Sequence, residues 1–268
     1  MTTDGSATTH RTPDGAVLPY RLAGQGPPVV LVHGFGLDRA FWDPQLAAFA
    51  PRHRVLAYDL RGFGGASLPT APYSHARDLQ SLIEALSLGP AHVVGLSMGG
   101  RVALRLAINA PGVVRSLTLV DSMLDGYKMN EAWLTRWREV VGIARGGDLE
   151  AARRRWSEHE LFAPARANPA SAAAFEALVM RYSGWHWRER DPEEPESPPA
   201  LEALGRIAAP ALVVLGDKDL PDFHAIAARL CEGLPRATLR ILPGVGHLPN
   251  LEGPAAFNAA LLAHFAAN

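Results

Sequence analysis

Short apolar runs recur along the chain, each closed by a glycine, a proline or a polar residue. Val29 to Val32 is β-branched, bounded by Pro27-Pro28 and His33-Gly34, and apolar at every position. Such a run predicts a strand buried on both faces, as in a parallel sheet. The signature returns at Val55 to Tyr58, His92 to Gly95, Ser116 to Val120, Ala211 to Leu215 and Thr238 to Leu242. Two further β-like segments, Thr8 to Arg11 and Ala16 to Leu22, flank the turn signal Pro13-Asp14-Gly15. Between strands the period changes to that of a helix: Leu79, Leu82, Ile83 and Leu86 share one face, and Phe257, Leu261, Leu262 and Phe265 follow Pro254 at a helix start. Alternating strands and helices predict an α/β fold, a doubly wound and mostly parallel sheet flanked by helices.

One stretch breaks the alternation. From Ser122 to Arg206 the pattern is helical, over Glu131 to Val141, Asp148 to Glu160 and Ser171 to Tyr182, and it closes in the acidic, proline-rich segment Asp191 to Pro199. Its length is several times that of an ordinary connection. The expected organisation is a core of residues 1–121 and 207–268 carrying a helical cap of residues 122–206.

Charge narrows the function. Twenty-six basic and twenty-seven acidic residues leave a net charge of −1, which gives no footprint for nucleic acid or an anionic membrane. Cys231 is the only cysteine, and no zinc-type cluster occurs. The first residues carry no apolar leader segment and no run reaches the ~20 residues of a membrane span, so a cytoplasmic protein is expected. Phosphate-loop, dinucleotide and His-Glu-x-x-His patterns are absent, so neither cofactor nor metal is expected.

Ligands of parallel sheets bind at the carboxyl ends of strands, and the chemistry of this sequence lies there. Gly95-Leu96-Ser97-Met98-Gly99-Gly100 is a G-x-S-x-G between a predicted strand and a predicted helix, the context in which a serine is lifted out of a strained turn as a nucleophile. A serine hydroxyl needs a base, and His247 follows the last strand in a glycine-flanked loop. The acid that orients the imidazole is drawn from Asp217, Asp219, Asp222 and Asp121, with Asp219 preferred. Oxyanion donors are expected in the amides of Met98, next to the serine, and of Phe35, in the turn His33-Gly34-Phe35-Gly36.

These segments together resemble the α/β-hydrolase fold family over nearly the whole chain, including Asp59 to Gly64, Gly216-x-x-Asp219, Gly246-His247 and the order serine, acid, histidine. The resemblance implies Ser97 as nucleophile, Asp219 as acid, His247 as base and a cap over the site. A serine in the elbow sets the chain apart from the haloalkane dehalogenase and epoxide hydrolase branches, which attack with a carboxylate. Gly36 to Asp43 and the elbow are similar to the small carboxylesterases and 3-oxoadipate enol-lactonases.

The expected activity is hydrolysis of small or medium carboxylic esters. Lactone hydrolysis is the first alternative, followed by C–C bond hydrolysis, acyl transfer or perhydrolysis, and reception of a small ligand without catalysis. The expected partner is a small ester or lactone, with the chain a monomer or homodimer. Substrate contacts are expected from His33, Gly34, Trp133, Trp137, Trp185 and His186. An inward Arg181 or Arg188 would favour a carboxylate-bearing substrate.

Overall fold

A computed structural model describes residues 8–268. The first seven residues, on which part of the leader expectation rests, lie outside the described residues. Eight strands form one sheet: β1 (Thr8–Arg11), β2 (Val17–Ala23), β3 (Pro28–Val32), β4 (Arg54–Tyr58), β5 (Ala91–Leu96), β6 (Val114–Val120), β7 (Ala211–Gly216) and β8 (Ala237–Leu242). Their spatial order is β1-β2-β4-β3-β5-β6-β7-β8. The β1–β2 and β2–β4 pairs are antiparallel, and all the others are parallel. The sheet is thus doubly wound and mostly parallel, as the alternation predicts.

Helices α1 (Asp43–Phe49), α2 (His75–Ala85), α3 (Met98–Asn109), α10 (Pro221–Gly233), α11 (Pro249–Glu252) and α12 (Pro254–Ala267) accompany the sheet. Between β6 and β7 stand α4 (Glu131–Arg145), α5 (Leu149–Ser157), α6 (Ala163–Ala167), α7 (Pro169–Arg181), α8 (Trp185–Arg188) and α9 (Ala200–Ala203). No helix among the described residues is long and apolar enough to cross a membrane.

Strands β5 and β7 are buried at every position, because helices cover both faces of the sheet centre. The run at β8 departs from the expectation of a strand buried on both faces. It is the sheet edge, and Leu239 and Ile241 are 46% and 49% exposed. Thr238 and Arg240 interrupt its apolar residues, which marks the run off from those of the buried central strands.

The acidic linker is not a solvated tail. Glu193 pairs with Arg101 of α3 at 2.6 Å, Glu196 accepts from Ser74 at 3.0 Å, and Glu194 pairs with Arg77 of α2. The prolines keep this segment extended, and its carboxylates strap it across two core helices.

Candidate active site

The strand ends set the geometry. Parallel registers pair Leu96 with Val120 and Val120 with Val214, so β5, β6 and β7 stop at one edge of the sheet. Ser97 follows β5 with φ 52° and ψ −114°, a left-handed conformation that a serine adopts only under constraint. The constraint is close packing of backbones. A Cβ on Gly95 would stand 2.2 Å from the Gly99 carbonyl oxygen, and one on Gly99 would stand 2.3 Å from that of Val32. Any side chain at either position would force the strand and helix apart. The turn puts Ser97 immediately before α3, whose first residue, Met98, has an N–H with no acceptor inside the helix.

His247 stands between two fixed neighbours. Glu252 of α11 accepts from the Gly246 N–H at 2.5 Å and from the Leu248 N–H at 3.0 Å, one carboxylate clamping both sides of the histidine. Gly216, at the end of β7, lies so close to this loop that a Cβ would stand 2.1 Å from the Gly246 oxygen. That approach brings the following loop to the imidazole, and His247 Nδ1 lies 2.7 Å from Asp219 Oδ2. Asp219 Oδ1 accepts from the Leu220 N–H at 2.7 Å. Both groups are buried.

Two of the rival acids are engaged elsewhere, and the third stands behind Asp219. Asp217 accepts from the Gly244 N–H at 2.7 Å. Asp222 accepts from Tyr127 at 3.1 Å and from Asn130 at 2.5 Å, tying the start of α4 to α10. Asp121 reaches the Gly216 N–H at 3.0 Å. One ligand-type atom each of Asp121, Asp219 and His247 lie within 4.8 Å of one another, the single such group among the described residues. The His247 nitrogen on that side already faces Asp219, so the arrangement suits a hydrogen-bonded acid–imidazole chain better than a ligand set.

Ser97 and His247 both line a cavity of about 440 Å³. Gly34, Phe35, Met98, Trp133 and Trp137 line it as well, with Trp156, Leu161, Phe162, Met123 and Met129 supplying further apolar wall. Phe35 sits at the centre of an aromatic group, edge-on to Trp137 at 5.1 Å and to Tyr182 at 5.4 Å.

Three of the proposed contact residues fall outside this lining, which corrects the reading of them as substrate contacts. His33 is fully buried: its Nδ1 bonds the Gly34 carbonyl at 2.8 Å and its Nε2 accepts from the Leu60 N–H at 3.0 Å. It braces the turn that carries Phe35. His186 stacks on Phe63 at 4.2 Å and bonds Tyr182 at 2.7 Å, while Trp185 packs edge-on to His186. Burial pushes His186 down to about 3 and holds His33 below the ordinary imidazole range. These rings dock the helical segment on the core.

The sequence reading missed Glu252, Phe162 and the methionines of the wall. A glutamate five residues past a candidate base, at the end of a short turn, was the available signal for the first. Nothing in the pattern distinguishes Phe162 or Met129 from ordinary packing.

Comparison with known proteins agrees with this fold. A family described as alpha/beta hydrolase fold matches residues 27–254. The chain belongs to the α/β-hydrolase family. It is similar to the RutD protein of Azorhizobium caulinodans, provisionally named a carbamate hydrolase, at 31% identity over 92% of this chain and 94% of that one. It is 28% identical to 3-oxoadipate enol-lactonase 2 of Acinetobacter baylyi, over 93% of each chain. Among solved structures it matches Est816, described as an N-acyl homoserine lactone degrading enzyme, with a TM-score of 0.78, 29% identity and coverage of 95% and 99%. The chain is a hydrolase of this fold.

Proposed function

We propose that the chain hydrolyses carboxylic esters or lactones of small, uncharged, largely apolar substrates through an acyl-enzyme on Ser97. The observation that carries this reading is the 2.7 Å contact between His247 Nδ1 and Asp219, on an imidazole that shares an apolar cavity with a serine held in a strained elbow.

Asp219 accepts the Nδ1 proton and fixes the tautomer, leaving Nε2 free as base toward Ser97. Ser97 Oγ attacks the carbonyl carbon as His247 takes its proton. The negative oxygen is assigned to the amides of Met98 and Phe35, both cavity residues, because fixed backbone dipoles stabilise developing charge without reorganising. The C–O bond to the alcohol breaks, and His247 returns the proton to that oxygen. Water, deprotonated by the same imidazole, attacks the acyl carbon, and Ser97 leaves with a proton.

Charge supports an uncharged substrate. Arg101 is the one cationic side chain of the cavity lining, and Glu193 and Asp125 already pair with it, at 2.6 and 3.7 Å. Arg181 turns away to Asp38 at 2.9 Å, and Arg188 donates to the Ser183 carbonyl at 3.3 Å. A carboxylate-bearing substrate would enter this cavity without a free counter-charge, at a desolvation cost.

The test is turnover of p-nitrophenyl esters, simple lactones and a carboxylate-bearing enol-lactone by wild type and Ser97→Ala. The expected result is preference for the neutral substrates and a fall in kcat of about a millionfold in the variant, the scale measured when a catalytic triad is disabled in another hydrolase. Substantial turnover by clean Ser97→Ala protein would overturn the assignment. A preference for the charged enol-lactone would overturn the substrate class alone.

A further inference from the structure

Asp121 is the buried acid that the mechanism above leaves unused. It follows β6 in a left-handed conformation, φ 40°, with its N–H bonded to the Val214 carbonyl at 2.9 Å. Aspartate tolerates this region better than most residues, yet it remains a strained placement. The side chain is 2% exposed. Its Oδ1 accepts from the Gly216 N–H at 3.0 Å, and its Oδ2 is buried with no donor to accept from.

The surroundings on every side are acidic or already committed. Asp219 comes from the loop after β7, Glu252 from α11 and His247 from the loop after β8. His247 gives its near proton to Asp219, and His159, which faces the same cluster, is held down to about 4 by burial. Two carboxylates this close in a medium of low dielectric cannot both hold a full charge. Burial first, then the charge of Asp219 and a hydrogen bond to it, push Asp121 well above the usual carboxylate range. A proton on Oδ2 removes both difficulties, because the orphan oxygen becomes a donor and its natural acceptor is Asp219.

We infer that Asp121 is a positioning residue of the proposed hydrolysis: as a neutral carboxylic acid it donates to Asp219 and holds that carboxylate against His247 Nδ1. The inference rests on the Ser97 reading. The proton stays on Asp121 through the cycle, and Asp219 alone bears the charge that steadies the imidazolium. A permanent neutral donor here orients Asp219 without adding a second negative charge, which would make the base too strong to give its proton up easily.

The experiment compares full-length wild type, Asp121→Leu and Asp121→Asn by kcat and KM across pH with p-nitrophenyl acetate, and by infrared difference spectroscopy of wild type against Asp121→Asn. Asp121→Leu removes the donor and should lower kcat about 10- to 100-fold with little change in KM, the range for losing a hydrogen bond to a charged group. Asparagine keeps an acceptor for Gly216 and a donor for Asp219, so Asp121→Asn should recover most of that loss. Its acid limb of kcat/KM should stay in place, since one neutral group replaces another. The protonated-carboxyl stretch of wild type at neutral pH should vanish in Asp121→Asn.

An acid limb displaced downward by about one pH unit or more in Asp121→Asn would mean that a negative charge had been removed beside His247. That result, a missing protonated-carboxyl band, or a fully active Asp121→Leu would each overturn the inference. If Asp121→Leu does not fold, the limb and the band decide. The band needs no turnover, so a failure of the Ser97 assignment, seen in Ser97→Ala, remains separate from a failure of this one.

Discussion

Glu252→Gln tests whether the base is held by its neighbours or merely stands near them. The carboxylate accepts from Gly246 on one oxygen and from Leu248 on the other, at 2.5 and 3.0 Å, and the side chain is only 9% exposed. Glutamine matches its shape but turns one acceptor into an NH2 group. Whichever way the amide flips, one backbone N–H then meets a donor in a buried place. Losing a hydrogen bond to a charged group costs about 1.5–3 kcal/mol, and the surviving bond weakens because its acceptor is neutral.

A net loss of about 2–3 kcal/mol lowers Tm by roughly 4–12 °C in a chain of this size. The loop that loosens carries His247, so kcat should fall by about tenfold while KM changes little, because the cavity wall is untouched. Burial pushes Glu252 upward, against the pull of the two N–H groups. Asp217→Asn is the control. Asp217 bonds Gly244 at an exposed site where water can replace it, and it should cost well under half as much. Scanning calorimetry and ester turnover on both variants decide the matter. Equal, small losses in the two would refute the clamp.

Two further outcomes follow from the same contacts. Trp133 lines the active-site cavity and also a second cavity of about 530 Å³ beside α4 and Pro221. Trp133→Ala should join them and move the preferred acyl chain to greater length, with kcat/KM gaining about fourfold for each extra methylene buried; an unchanged chain-length optimum would rule this out. The second concerns acid. Burial lowers His92 and His159 to about 4 and His186 to about 3, below the 6.5 of an exposed imidazole. The unfolded chain therefore takes up protons first as pH falls, so these rings cost the folded state nothing above pH 6.5 and increasingly destabilise it between 6.5 and about 4. Tm measured from pH 8 to 4 should drop within that window, and a flat profile there would contradict it.

Much of this arrangement was legible in the chain because its cause is local. Gly95 and Gly99 flank Ser97 at a spacing that only a strand-to-helix turn requires, and the apolar run before them reports a strand buried on both faces. The preference for Asp219 over Asp217 was a matter of loop direction. It depends on the Gly216–Gly246 contact between segments thirty residues apart. The contact residues were harder. Trp133 and Trp137 lie on one helix face and do reach the cavity, but of the equally aromatic Trp185 and His186, His186 turns to Phe63 and Trp185 packs on His186. An aromatic side chain in such a segment serves a docking surface as readily as a pocket, and composition carries no direction.

The acid pair shows why a meeting of two candidate residues, each visible in the sequence, could not be found by motif. Asp121 and Asp219 follow different strands, 98 positions apart in the chain. They meet because β6 and β7 are parallel neighbours in register, Val120 beside Val214, so the residue after one strand bonds the backbone of the other. A doubly wound sheet thus gathers at one edge whatever follows its central strands. Here it gathers a serine, two acids and, through the Gly216–Gly246 approach, a histidine. On the proposed reading, Asp219 carries the charge beside the imidazole, and Asp121, whose second oxygen is buried with no donor, stands behind it as a neutral group.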